Sequence, residues 1–254
     1  MRPLKRLWPR LRKWVSGERG LPDFLIIGAQ KSATCTLYFN LNRHPDLHLV
    51  GTEDGLNEVH FFDRDENWER GVDWYRGQFD RVTVLQGEKT PEYIANLDCH
   101  RRMHATVPRA RLILSLRDPI DRAYSQWNHF NQIPETSRAW GWQPADFETA
   151  ITRHPDLLRR GEYIHQIEHL LRFYPRAQLL IGIAERLRVK PRGELNRICA
   201  FLGVRPLEWE IRNIHQRSYE QPLAGATRAR LRDHFRAANE RLFEFLGERI
   251  TEWE

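Results

Sequence analysis

Four short runs, DFLIIG (23–28), VTVLQGEK (82–89), ARLILSLRD (110–118) and QLLIGIAE (178–185), constrain the fold of this chain more than any other feature. A strand with one wet face alternates apolar and polar residues, so runs without that alternation need cover on both faces. Helical patterns lie between and after them, at about 34–43, 66–78, 96–106, 119–130, 145–153, 161–173, 191–202 and 226–246. Strands alternating with helices predict an α/β fold in three layers, with a central parallel β-sheet flanked by helices. Sheets of this kind take ligands beyond the carboxyl ends of their strands. The residues just after each run are therefore the ones to read for function.

After the first run stands Gly28-Ala29-Gln30-Lys31-Ser32-Ala33-Thr34-Cys35-Thr36, followed by a helix. A loop of small and hydroxyl residues leading into a helix N-terminus offers backbone N–H groups and a helix dipole to a phosphate, and Lys31 adds a full charge. It is not a Walker A loop: Lys31 comes three residues after Gly28 and is followed by Ser-Ala-Thr. A plain strand-to-helix turn with a solvated lysine would read the same way. After the third run, Arg117 occupies the strand end, then Asp118-Pro119 and a helix carrying Ser125. An arginine fixed there suits a second phosphate, with Ser125 as a hydroxyl donor, although Arg117 and Asp118 could instead form a structural ion pair. After the second run comes Glu88-Lys89-Thr90-Pro91, and between the first two runs lies Asn57-Glu58-Val59-His60-Phe61-Phe62-Asp63. Glu58 near Lys89 could act as a general base. A buried Glu-Lys bridge beside a satisfied core histidine is the other reading.

Composition narrows the partners. The 254 residues hold 40 Lys plus Arg and 34 Asp plus Glu. Seven of the bases and one of the acids fall in residues 1–20, so the rest of the chain has 33 of each. A nucleic-acid-binding surface usually carries its excess of bases on the folded part, which weakens that reading for the body, and no nucleic-acid partner is expected. Residues 1–20 form a basic amphipathic leader, with Leu4, Leu7, Trp8, Leu11, Trp14 and Val15 at helical spacing. The expectation is peripheral contact with an anionic membrane, with a solvated leader or a helix packed on the body as the alternatives. Residues 21–254 are expected to form one domain. Three scattered cysteines, no apolar run long enough to span a bilayer and no signal-peptide pattern lead to an expected cytoplasmic location, with a peripheral place at the inner membrane surface as its variant. The segment NQIPETSRAWGWQP (131–144) is the one long irregular stretch, and Trp140 and Trp142 are candidates for an exposed aromatic groove.

Taken together, IIGAQKSATCTLY, HPDL, NEVHFFD, GVDWY, GEKTPEY and LSLRDPIDRAYSQW resemble, in order, the motifs of the PAPS-dependent sulfotransferases, in particular the heparan sulfate 3-O- and N-sulfotransferase group. The resemblance runs from about Phe24 to Gly247. It implies a P-loop-like fold and transfer of the sulfonate of 3′-phosphoadenosine 5′-phosphosulfate (PAPS) to a hydroxyl or amine of a carbohydrate or glycolipid, releasing adenosine 3′,5′-bisphosphate without a metal. By the same resemblance Lys31 contacts the 5′-phosphosulfate, Ser32, Ala33, Thr34, Cys35 and Thr36 form the cradle, and Arg117 with Ser125 holds the 3′-phosphate. Glu58 is the implied base, with Lys89 and His60 beside it. The segment RSYEQP is similar to the family's late basic loop, which implies that Arg217, Ser218 and Tyr219 close over the cofactor. Two departures stand out. Ala33 replaces the glycine of the usual Lys-x-Gly-Thr, and Arg217-Ser218 stands where Lys-Gly is common. A P-loop-like kinase using ATP and a non-catalytic binder of anionic polysaccharide or lipid are the rival readings.

Overall fold

The computed structural model describes residues 20–51, 58–79, 83–133, 141–212 and 222–254. The leader at 1–19, the late loop with Arg217, Ser218 and Tyr219, and Trp140 lie outside the described residues. Five parallel strands, β1 (Phe24–Gly28), β2 (Leu47–Leu49), β3 (Leu85–Lys89), β4 (Arg111–Leu116) and β5 (Leu179–Ile183), form one sheet in the order β2-β3-β1-β4-β5. The expected three-layer α/β architecture is the one observed.

All five residues of β1 are buried, which is why its sequence shows no alternation. Phe24 and Ile26 pack on one face with Leu37, Leu41, Ile198 and Leu202, from the helices Thr34–Leu41 and Pro191–Leu202. Leu25 and Ile27 pack on the other with Ile164 and Ile167 of the helix Tyr163–Leu170 and Leu242 of the helix Gly225–Leu246. Successive side chains on a strand point to opposite faces, so this split is the pleat expressed as two cores. A third cluster, with Tyr124, Trp142, Phe147 and Phe235, lies around the helices Pro119–Gln132 and Phe147–Arg153.

Two elements and one side chain differ from the sequence reading. The strand β2 was absent from it, because three residues, Leu-His-Leu, are too short to show a period. The expected helix 66–78 is two pieces, Asp65–Trp68 and Gly71–Arg76, divided where Gly71 takes φ +81°. Trp142 is no groove aromatic: it is 3 % exposed, stacks on His154 at 4.7 Å and donates its Nε1–H to Asn131 Oδ1 at 3.0 Å.

The chain order reverses across β1, with β3 on one side and β4 on the other. The carboxyl ends of these three strands frame the crevice where a ligand of such a sheet sits. They deliver the loop after Gly28, Lys89 and Arg117 to one edge.

Candidate active site

The loop after β1 is held by backbone bonds before any side chain acts. Ala29 N donates to Ser115 O at 2.7 Å, Ser32 N to Ala29 O at 3.1 Å, and Leu37 N to Ala33 O at 3.0 Å. Gly28 is required at its start: with φ +155°, a Cβ there would lie 2.3 Å from Ile94 Cγ2. Lys31 and Ala33 both take left-handed φ, 68° and 62°. The position that Ala33 fills therefore does favour glycine, and the alanine is strained there. Ala33 precedes the helix Thr34–Leu41, so the turn aims the first N–H groups of that helix at the edge of the sheet.

Arg117 reaches this loop from β4, donating from its NH1 group to Lys31 O at 3.2 Å, while Tyr163 donates its hydroxyl to Arg117 O at 2.8 Å. The buried Nε of Arg117 has no hydrogen-bond partner among the described residues. An orphaned guanidinium nitrogen beside a loop of amides fits an anion such as a nucleotide phosphate. Asp118 is not paired with Arg117 in an ion pair; it caps the helix Pro119–Gln132, accepting from Asp121 N at 2.8 Å. Ser125 is buried on that helix.

The segment from Glu58 to Asp63 is clamped against the residues after β3. His60 N donates to Thr90 Oγ1 at 3.4 Å, Phe61 N to Tyr93 Oη at 3.0 Å, and Asn67 Nδ2 to His60 O at 3.1 Å. Phe61 stacks on Tyr75 at 4.4 Å, and Phe62 meets Tyr93 edge to face. Buried beneath them, Glu88 accepts from the hydroxyls of Tyr75 (2.7 Å), Thr90 (2.8 Å) and Tyr93 (2.9 Å). Burial nevertheless pushes its carboxyl up to about 7. Glu88 thus supports the aromatic packing, and Lys89, its neighbour in sequence, points into the site.

Lys89 is 1 % exposed and is ion-paired with Glu58, whose other oxygen lies 3.3 Å from His60 Nε2. His60 Nδ1 is 2.7 Å from Asp63 Oδ2. Burial alone would raise Glu58, but the contacts with His60 and Lys89 outweigh it and hold the carboxylate below its ordinary range. Burial would lower His60, but Asp63 and Glu58 push it up to about 9. Lys89 Nζ also lies 3.8 Å from Cys35 Sγ, in the first turn of the helix Thr34–Leu41. Lys31, the cradle from Ser32 to Thr36, Arg117, Lys89, Glu58 and His60 thus meet at one sheet edge.

Four further residues belong to this site and were not singled out from the sequence. Asp63 orients His60. Glu92, three residues after Lys89, accepts from Gln30 Nε2 at 2.6 Å, and Gln30 Oε1 in turn accepts from Arg160 at 3.3 Å. Donor atoms of Glu58, His60 and Glu92 lie within 4.8 Å of one another, a spacing that could hold a cation. The ammonium of Lys89 is already bound to Glu58. Asp63 and Glu92 both lie inside the motifs quoted above, so proximity in sequence was the available signal.

The family model of the sulfotransferase domain matches residues 21–252. The chain belongs to the sulfotransferase family. Among curated sulfotransferases it is 34 % identical over 194 residues to human heparan sulfate glucosamine 3-O-sulfotransferase 6, covering 74 % of this chain and 54 % of that protein. It is 35 % identical over 199 residues to human bifunctional heparan sulfate N-deacetylase/N-sulfotransferase 3, covering 73 % and 23 %. The chain thus spans about half the length of the first of these relatives and less of the second. The solved structure of a sulfotransferase from Alicyclobacillus acidocaldarius superposes with a TM-score of 0.75 at 24 % identity, covering 91 % of this chain and 98 % of that one. No helix among the described residues is long and apolar enough to cross a membrane.

Proposed function

We propose that this chain transfers the sulfonate of PAPS to a hydroxyl or amine of a carbohydrate or glycolipid acceptor. The observation that carries the reading is Lys89. One buried ammonium pairs with Glu58 on the acceptor side and reaches Cys35 in the donor-loop helix, so proton acceptor and phosphate cradle share a wall. The names of the heparan sulfate relatives support a carbohydrate acceptor.

In this mechanism the amides from Ser32 to Thr36 and the ammonium of Lys31 bind the 5′-phosphosulfate, and Arg117 with Ser125 binds the 3′-phosphate. Glu58 takes the proton of the acceptor O–H or N–H as that atom attacks sulfur. The new bond to sulfur forms as the bond from sulfur to the 5′-phosphate oxygen breaks, with the electron pair leaving on the phosphate. Lys31 neutralises that developing charge, and Lys89 steadies Glu58 and the transferring sulfonate. His60, held by Asp63, keeps Glu58 ionised and oriented. A carboxylate held ionised is ready to accept a proton at neutral pH, at some cost in basicity. Arg217, Ser218 and Tyr219 are proposed to cover the nucleotide, and residues 1–20 to meet an anionic membrane surface.

The test is calorimetric binding of adenosine 3′,5′-bisphosphate, followed by transfer of labelled sulfonate from PAPS to a panel of oligosaccharides and glycolipids. Binding without magnesium and transfer to at least one sugar acceptor are expected. A chain that binds ATP in preference to adenosine 3′,5′-bisphosphate would overturn the reading in favour of a kinase.

A further inference from the structure

Glu92 stands beside Glu58 and His60 and has no part in the mechanism above. It is 7 % exposed, lies beyond the carboxyl end of β3, and offers a carboxylate oxygen within 4.8 Å of the donor atoms of Glu58 and His60. Its Oε1 is taken by the Gln30 amide at 2.6 Å, and Gln30 is itself fixed by Arg160. Its Oε2 is buried with no hydrogen-bond partner among the described residues. A carboxylate oxygen left so costs stability unless something completes it, and it calls for an explanation.

The chemistry around Glu92 says what would complete it. Glu58 is engaged by Lys89 and His60, and Asp63 holds His60 through Oδ2 while its own Oδ1 is buried without a partner among the described residues. Glu92 is left with a neutral amide on one oxygen and nothing on the other. Burial, with the nearby charge of Glu58 adding to it, pushes its carboxyl up to about 7 against the partial relief from Arg160 and His60. A cation or a hydrogen-bond donor arriving with the acceptor would relieve that tension. An anionic group would add to it.

From this position we propose that Glu92 is a specificity-determining residue that selects acceptors with an amine or hydroxyl next to the sulfonated atom and disfavours those with a carboxylate or sulfate there. The terminal torsion of a glutamate is broad, so a small rotation presents the free oxygen to a bound sugar. Gln30 connects the same carboxylate to the loop that carries Lys31, which places the selecting group where donor and acceptor meet. A buried carboxyl facing the wrong partner discriminates through the cost of leaving both groups unpaired, the stronger form of selection.

This inference rests on the sulfotransferase reading, and equilibrium binding separates the two. Acceptor affinity is measured by calorimetry in the presence of saturating adenosine 3′,5′-bisphosphate, with oligosaccharides matched except for an amine, a hydroxyl or a sulfate beside the target position. The wild type is expected to bind the amine and hydroxyl forms about tenfold or more tightly than the sulfated form. Glu92→Gln is expected to reduce that ratio to within about threefold by weakening the amine form and improving the sulfated one. Glu92→Asp, which keeps the charge, is expected to retain the preference and covers the case in which Glu92→Gln fails to fold. Equal affinity of the wild type for all three forms, or the same loss for all three in Glu92→Gln, overturns the inference. Failure to bind adenosine 3′,5′-bisphosphate overturns the sulfotransferase reading instead.

Discussion

Arg117 donates to the backbone carbonyl of Lys31 at 3.2 Å, tying the end of β4 to the loop that follows β1. One arginine thus shapes the loop after β1 and keeps a buried Nε that has no partner among the described residues. Arg117→Ala should weaken adenosine 3′,5′-bisphosphate roughly 10- to 100-fold by calorimetry, the range expected for charge-assisted hydrogen bonds to phosphate. Arg117→Lys should recover little of the loss, because an ammonium cannot bond the loop carbonyl and a phosphate with a planar fork.

Ala33 sits at φ +62°, where an L-residue costs about 1–2 kcal/mol. Ala33→Gly relieves that strain but adds about 0.5–1 kcal/mol of chain entropy to the unfolded state, so the net gain in stability is expected to be about 1 kcal/mol or less. Ala33→Val should cost about 2 kcal/mol, since branching at Cβ is poorly tolerated at positive φ. Denaturant titration of the three proteins orders them Gly, Ala, Val.

His60 carries its proton up to about pH 9 because Asp63 and Glu58 hold it. A histidine raised from 6.5 contributes stability that is complete below about pH 6.5 and is lost as pH rises through about 9. Asp63→Asn should lower the His60 midpoint by about one unit or more, read from imidazole NMR shifts, and bring that loss of stability to lower pH.

Glu88 gives the opposite slope. Its carboxyl is raised from 4.5 to about 7, so the fold holds the proton more tightly than the unfolded chain, and stability falls as pH rises from about 4.5 through 7. Glu92 contributes in the same sense. Glu88→Gln should reduce this slope without abolishing it, as measured by urea midpoints across that range.

The sheet and the loop after β1 were legible because strand, loop and helix follow one another in sequence and the apolar runs need cover on both faces. The strain at Ala33 could be anticipated from its place in the loop, and the structure supplies the φ that turns it into a statement of cost. The acceptor side was less legible. Asp63 and Glu92 stand three residues from His60 and Lys89, but whether a side chain three residues on turns inward depends on a clamp of long-range bonds, such as Phe61 N to Tyr93 Oη. Trp142 was misread for the same reason: a tryptophan in an irregular stretch looks exposed until the helices that bury it are assembled. Arg160 reaches Gln30 across 130 residues, a contact no local pattern announces.

Glu58, held ionised between Lys89 and His60, is proposed to take the acceptor proton during sulfonate transfer. Transfer of labelled sulfonate from PAPS by Glu58→Gln, in protein shown to bind adenosine 3′,5′-bisphosphate as the wild type does, tests it most directly. Turnover is expected to fall by about 10²- to 10⁴-fold with nucleotide affinity unchanged. Full turnover by Glu58→Gln would contradict it.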